Sequence, residues 1–368
     1  MQIACSKSNL LDNMNLVMKA VSSRTTLPIL ECVLLVADDN GFFMTATDLE
    51  LGVETDKIDA MIIDAGCVAL NAKMFHEIIR KFPEDTVTIN VDDKNVTTLR
   101  CQKSEFKILG QSGEEFPTLP LVERSEFIPI GSRALKNMIR QTIFSVAVDE
   151  TKNVMRGELL EVKNRVLKLV SVDGFRISYR ECSLENFEGE AKIIIPGKAL
   201  SVVSKLLNDN DDEISIFYTD KHALFALGGC TFVTRLLDGE FINYENLFNS
   251  EYNTQVFVER TQLLSSLDRA SLISVEAKKT PILLSISSGK ILITANTEMG
   301  TVHDEVEVDI EGSDIDIAFN PRYMIEALRV IEDEKVLISF VTSLSPCVIR
   351  PEKESSYKYL ILPLRIKA

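Results

Sequence analysis

Residues 169–178 read LVSVDGFRIS: an apolar run ends at Val172, an Asp-Gly pair follows, and Arg176 stands between Phe175 and Ile177. Taken alone, Asp173 is a candidate catalytic carboxylate or metal ligand, and Arg176 a candidate phosphate holder. A plainer reading is a turn between two strands, since Asp-Gly readily takes the positive φ angles of a tight hairpin. The rest of the chain decides, because the stretch recurs. MTATDLELGVET at 44–55 and ITANTEMGTVHDE at 293–305 share its pattern, with Asp48 125 residues before Asp173 and Thr297 124 residues after it. A second block lies 25 residues further on in each copy, where LNAKMFHEIIRKF, IPGKALSVVSKLL and FNPRYMIEALRVI align Lys73, Lys198 and Arg322. A third block, EEFPTLP against GEFINYENL, puts Phe116 and Phe241 125 residues apart. Three markers with one period define a threefold repeat of units of about 122 residues. The expected domains are 1–122, 123–249 and 250–368, with borders in the segments EFPTLPLVERSEF and INYENLFNSEYN.

Each unit opens on a helix-period segment: LLDNMNLVMKAV, ALKNMIRQTIFSV or QLLSSLDRASLI. Short alternating strands follow, such as ECVLLVADDNGFFMTA with its Asn-Gly turn and PILLSISSGKILITA with Gly289. The second helix and further strands complete an expected order of α-β-β-β-α-β-β-β. Such a unit buries its sheet against its helices, an α+β arrangement.

Composition narrows the function. A chain of 368 residues, 45% hydrophobic and 26% charged, can bury a large core. No stretch approaches the roughly 18 unbroken apolar residues of a membrane span, and the polar, acidic start does not read as a secretory signal. Seven cysteines at scattered positions, without a CxxC, predict reduced thiols in a cytoplasmic protein. His76, His222 and His303 lie far apart and form no metal-ligand pattern. There is no GxxxxGK[ST], GxGxxG or GxSxG, and the Gly228-Gly229 pair reads as a hairpin turn. The expectation is a protein without catalysis, cofactor or metal. A nuclease built on Asp48 and Asp173 fails because Thr297 replaces the acid in the third repeat.

The net charge of −15 argues against nucleic acid, yet the helices disagree. Residues 7–22, 72–82, 132–146, 197–207, 260–273 and 321–331 carry +1, +2, +3, +2, +1 and +1, which leaves −25 for everything else. One such helix would read as an ordinary solvated face. Six of one sign, placed equivalently by a repeat, predict a continuous basic surface that holds a phosphate backbone without reading sequence.

The whole chain resembles the bacterial sliding clamps, the β subunits of DNA polymerase III. The matching landmarks are SRTTLPIL (23–30), TATDLE (45–50), VDGFR (172–176), LDGEFINY (237–244), FNPRY (319–323) and YLILPLR (359–365). The resemblance implies three clamp domains per subunit and a head-to-tail homodimeric ring around double-stranded DNA, with helices lining the hole and antiparallel sheets outside. It also implies a non-catalytic processivity factor serving the replicative polymerase α subunit, the clamp loader and repair polymerases, with no membrane partner. The cations expected to face DNA are Arg24, Lys73, Arg80, Lys81, Arg133, Lys136, Arg140, Lys152, Lys198, Lys205 and Arg322. Asp173 becomes a turn residue with no catalytic part.

The resemblance also implies a cleft for short linear motifs of partner proteins. Met155, Val172, Gly174, Phe175, Arg176 and Ile177 form one side, Ile242, Asn246 and Leu247 the next, and Leu360, Leu362, Pro363, Leu364 and Arg365 the last. Apolar pockets would take hydrophobic anchors, and the arginines would pack their stems and hydrogen-bond with their heads. Typical clamps carry Pro where Ile242 stands, Arg at Asn246 and Ser at Pro346, and end before Lys367 and Ala368. The aromatic residues that some offer to DNA are absent at Asn153 and Val154. These departures bear on partner preference.

Charge asymmetry points to the joint. Residues 94–107 carry +3 and residues 298–316 carry −8. Two bare sheet edges of opposite charge would steer one subunit onto the next. By resemblance Lys103, Phe106, Lys107 and Ile108 would meet Leu272, Ile273, Glu298, Asp304 and Glu305. A diverged repeat scaffold that binds motifs without encircling DNA is the alternative.

Overall fold

The structure is a computed structural model describing residues 1–22, 25–149, 151, 153–185, 187–273, 281–298, 300–353 and 356–365. Among these, six α-helices form: α1 (Lys7–Val17), α2 (Ala72–Lys81), α3 (Ser132–Thr142), α4 (Gly197–Leu206), α5 (Arg260–Ser271) and α6 (Pro321–Val330). Each repeat supplies two. Polar side chains start several of them: Ser6, Asn71 and Glu259 accept the amides of Asn9, Met74 and Gln262, and Asn320 accepts that of Arg322 ahead of Pro321.

The expected order falls short in two places: four or five strands, not three, lie between the two helices of each repeat, and one more precedes the first helix. A strand of five or six residues runs straight into the first helix of every repeat: Gln2–Ser6, Phe127–Gly131 and Thr254–Glu259. Gln2–Ser6 buries only Ile3 and Cys5. Two inward residues are too few for a period of two to stand out in sequence.

The chain packs as two units. Unit 1, Met1–Lys136 with Lys198–Leu236, contains two antiparallel sheets. The five-stranded one runs Met61–Asp64, Gln2–Ser6, Thr86–Val91, Val96–Cys101, Ser104–Leu109. The nine-stranded one runs Gln111–Ser112, Gly66–Asn71, Cys32–Asp38, Gly41–Thr47, Leu51–Thr55, Cys230–Arg235, His222–Ala226, Glu213–Tyr218, Phe127–Gly131. The first and middle repeats therefore meet in a backbone ladder, where Leu51–Thr55 pairs with Cys230–Arg235. α1 packs on α2, burying Leu10, Met14 and Val17 on one and Phe75 and Ile79 on the other.

Unit 2, Asn137–Gly197 with Leu237–Ala368, repeats this plan. Its nine-stranded sheet runs Ala191–Pro196, Gly157–Lys163, Val166–Val172, Arg176–Ser183, Tyr357–Ile361, Cys347–Pro351, Lys335–Phe340, Thr254–Glu259, Asp309–Gly312. Its four-stranded sheet runs Gly300–Glu307, Lys290–Thr297, Ile282–Ser287, Ile315–Phe319. Here the middle and last repeats are joined by pairing of Arg176–Ser183 with Tyr357–Ile361. α5 packs on α6 over a core that includes Leu263, Leu267, Met324 and Leu328. The middle repeat is thus shared between the two units.

A polar group lies inside unit 2. Glu158, on Gly157–Lys163, is fully buried, and its Oε2 is 2.5 Å from the Thr142 hydroxyl. Burial pushes its carboxyl up to about 8, against the pull of Thr142. Thr142 Oγ1 donates to Glu158 Oε2 and also lies 2.8 Å from the Met138 carbonyl.

Candidate functional site

The Asp173 stretch is a hairpin, turned one residue later than an Asp-Gly centre. Val172 pairs with Ile177, and the Asp173 amide donates to the Arg176 carbonyl at 3.4 Å, leaving Gly174 and Phe175 at the tip. Gly174 takes φ +91°, which L side chains rarely adopt. Asp173 Oδ1 accepts the amides of Phe175 and Arg176 at 2.8 and 3.1 Å, and its Oδ2 accepts Arg176 Nε at 2.9 Å. The carboxylate therefore works as a turn clasp. The same clasp recurs at its counterpart in the first repeat, where Asp48 Oδ1 accepts the amides of Glu50 and Leu51 at 3.0 Å each. The Gly228-Gly229 pair forms the hairpin turn expected of it, with φ of +63° and +106°.

The register carries three predicted side chains onto one sheet face. Val172 lies opposite Ile177, which lies opposite Leu360 on Tyr357–Ile361. They belong to one apolar cluster in unit 2 with Phe241, and Met155 and Ile242 pack against it half-buried. Around it Phe175, Leu247 and Leu362 are exposed, at 41%, 47% and 37%. The Leu362 amide donates to the Phe175 carbonyl at 2.9 Å, tying the tail to the hairpin tip. Leu364 donates to the Ala318 carbonyl at 2.7 Å. Pro363 and Leu364 are half-buried, while Asn246 and Arg365 are exposed. The result is a buried apolar floor with an exposed apolar rim, suited to anchoring side chains of an extended peptide.

Arg176 is held by side chains of its own chain. Only 6% of the residue is exposed, and its guanidinium pairs with Asp173 and Glu326 and donates to the Phe144 carbonyl. It also lies over the Tyr323 ring at 4.6 Å, and Phe175 stacks on that ring at 6.2 Å. Partial burial works to raise the Glu326 carboxyl, but Arg322 and Arg176 together hold it below the usual range. Arg176 thus fixes the hairpin against α6 from beneath.

Sequence reasoning did not single out the remainder of this floor. Leu159, Val170, Tyr179, Ile194, Tyr244, Phe248 and Val348 complete the cluster. Tyr179 lies 6.0 Å from both Tyr244 and Phe248, and Lys358 Nζ sits over the rings of Tyr179 and Phe248 at 4.9 and 4.5 Å. The strand alternation LVSV and RISY was the available signal. Gly239 closes the margin with φ +134°, where a Cβ would come within 2.5 Å of Val154.

The predicted basic residues lie on the solvent sides of the helices. Lys73, Arg80, Lys81, Arg133, Arg140, Lys198, Lys205 and Arg322 are exposed and Lys136 is half-buried, whereas Arg24 and Lys152 lie outside the described residues. Several already hold acids: Arg80 with Glu77, Arg133 with Asp211, Lys136 with Asp209, Arg140 with Glu332, Lys198 with Asp48, and Arg322 with Glu326. Among the described residues Lys73, Lys81 and Lys205 carry no ion pair.

Each proposed joint segment overlaps an edge strand. Ser104–Leu109 ends the five-stranded sheet and pairs with Val96–Cys101 alone among the described strands; Gly300–Glu307 ends the four-stranded sheet beside Lys290–Thr297. Lys103, Phe106 and Lys107 are exposed and Ile108 is half-buried, with Phe106 edge-on to Phe82 at 5.6 Å. Leu272 is 84% exposed, Ile273 half-buried and Glu298 exposed. Asp304 pairs with Arg269 at 2.6 Å and Glu305 with Lys290 at 3.1 Å. The Lys290 hydrogen bond and charge hold Glu305 below the usual carboxylate range.

The sequence matches three families in turn: the N-terminal domain of the DNA polymerase III beta subunit over residues 1–120, its central domain over 129–243, and its C-terminal domain over 245–365. It is 35% identical to the beta sliding clamp of Bacillus subtilis, over 99% of this chain and all of that one. The solved Bacillus subtilis DNA polymerase sliding clamp superimposes with a TM-score of 0.96 at 34% identity, and the DNA polymerase III subunit beta of Pseudomonas aeruginosa with 0.95 at 27%, each covering both chains fully. Matched domain after domain from residue 1 to residue 365, the chain belongs to the DNA polymerase III beta subunit family, the bacterial sliding clamps, and has their three-domain clamp fold.

Proposed function

We propose that two copies of the chain close head-to-tail around duplex DNA, tether the replicative polymerase to its template, and dock polymerase, clamp-loader and repair proteins in the unit 2 cleft. The sliding-clamp family is a non-catalytic processivity factor, so the chemistry belongs to the polymerase it serves. The reading is carried by one observation: among the described strands the first and last sheets each end in an unpaired edge, one overlapping the segment 94–107 of net charge +3 and the other within the segment 298–316 of net charge −8. Unlike surfaces of this kind pair twice in a closed dimer. Domain borders at 122/123 and 249/250 fit this assembly. Many weak, replaceable phosphate contacts from the exposed helical cations would hold DNA yet let it slide. A cytoplasmic site of action fits as well, and no described helix is long and apolar enough to cross a membrane.

The test is retention on circular against linear duplex after loading. A linked ring stays on a closed circle and runs off free ends. Equal retention on both would favour a scaffold that binds motifs without encircling DNA.

A further inference from the structure

We infer that unit 1 carries a second peptide-docking pocket, at the repeat counterpart of the unit 2 cleft floor, and that it takes a short extended segment with an aliphatic side chain beside a lysine or arginine. Unit 1 contains a cavity of about 620 Å³ between its nine-stranded sheet and the segment Gly113–Arg124. That is the size of a ligand site, typically about 300–1,000 Å³.

Its position follows from the repeat. Leu34, Thr45, Glu54 and Phe116 line it, and each stands 125 residues before a member of the unit 2 cluster: Leu159, Val170, Tyr179 and Phe241. Sheet register adds two more equivalents. Val233 pairs with Gly52 as Leu360 pairs with Ile177, and Leu224 pairs with Val233 as Val348 pairs with Leu360.

What differs is the filling. In unit 2 the rings of Tyr179, Tyr244 and Phe248 occupy this place, with Lys358 over two of them. At the same spacing unit 1 has Glu54, Leu119 and Glu123, and Thr231 faces Glu54 as Lys358 faces Tyr179. Three rings are missing, and most of the space they would fill belongs to the cavity. One end is closed by Leu119, which lies where a Cβ on Gly52 would be, 2.3 Å from it.

Charge selects the occupant. Asp38, Glu54 and Glu114 line the cavity against a single cation, Arg124, which lies over the Phe217 ring at 5.9 Å and donates to Thr231. An aliphatic side chain fits among Leu34, Phe43 and Val233, and a cation beside it meets the carboxylates.

The test uses the full chain with Leu247→Asp and Leu362→Asp, which disables the unit 2 cleft, panned against a phage-displayed heptapeptide library. Selected peptides should pair an aliphatic residue with Lys or Arg and bind more weakly at higher salt. Glu54→Tyr, which inserts the tyrosine that fills the equivalent place in unit 2, should weaken them at least tenfold. Glu114→Lys, on the exposed wall, should also weaken them. Failure to select any peptide, or binders indifferent to both changes, overturns the inference. So does a change in oligomeric mass with Glu54→Tyr, since the occupant would then be a second copy. Peptides selected on the parent chain and lost with Leu362→Asp, but not with Glu54→Tyr, report on the unit 2 cleft separately.

Discussion

At the scale of single residues the unit 2 site separates anchors from supports. Met155, Leu247 and Leu362 offer apolar surface to a ligand, whereas Arg176 is committed to Asp173, Glu326 and the Phe144 carbonyl. Replacing Met155, Leu247 and Leu362 with polar residues should abolish binding of a clamp-binding peptide, each missing anchor costing on the order of 1–3 kcal/mol. The fold should survive, and calorimetric titration with circular dichroism separates the two effects. Replacing Arg176 should instead lower the melting temperature, because Asp173 and Glu326 would lose a buried partner. Glu158 gives a pH effect of definite sign. Its folded value near 8 lies above the ordinary glutamate value of 4.5, so between these values the native state holds more protons than the unfolded chain. Its contribution is therefore most favourable below about 4.5 and is lost as pH rises through about 8. Glu158→Gln, which keeps an oxygen to accept from Thr142 but cannot titrate, should flatten that slope by on the order of 1–3 kcal/mol across the window. Urea melts at pH 5 and pH 8 read it, and identical slopes in parent and variant would count against a neutral buried acid.

At the scale of elements, helices and hairpins are legible where the period has room to show. The i, i+3, i+4 pattern identifies the helices, and equal spacing of Asp48, Asp173 and Thr297 identifies the repeat. The strands that open each repeat are not legible, since Gln2–Ser6 has only Ile3 and Cys5 to signal its inward face. The engagement of Arg176 is invisible in sequence for another reason: Glu326 lies 150 residues away, and nothing local announces it. The edge strands are readable as edges because charge concentrates where pairing stops. If they form the ring joint, Leu272→Ala with Ile273→Ala should give a folded monomer of about half the dimer's mass by light scattering. Reversing Lys103 and Lys107 should weaken the dimer most at low salt, where the attraction is least screened. A parent chain that ran as a monomer at micromolar concentration would remove the ring from consideration.

For the molecule as a whole the charge pattern implies a graded response. Lys73, Lys81 and Lys205 carry no ion pair among the described residues, whereas Arg80 and Arg322 already hold Glu77 and Glu326. Changing the first three to glutamate should therefore reduce retention on circular DNA more than changing the other two. It should also lower the salt slope of binding by about one for each phosphate no longer neutralised. Equal effects would mean that the existing ion pairs do not compete with DNA. The sharing of the middle repeat between two nine-stranded sheets bears on dissection of the chain. Excised alone, that repeat would leave Cys230–Arg235 without Leu51–Thr55 and Arg176–Ser183 without Tyr357–Ile361. Two raw strand margins, each able to recruit another chain, make self-association its default fate. Truncation experiments on this protein should accordingly keep the middle repeat together with both of its neighbours, and proteases that nick the repeat borders should release no soluble middle fragment.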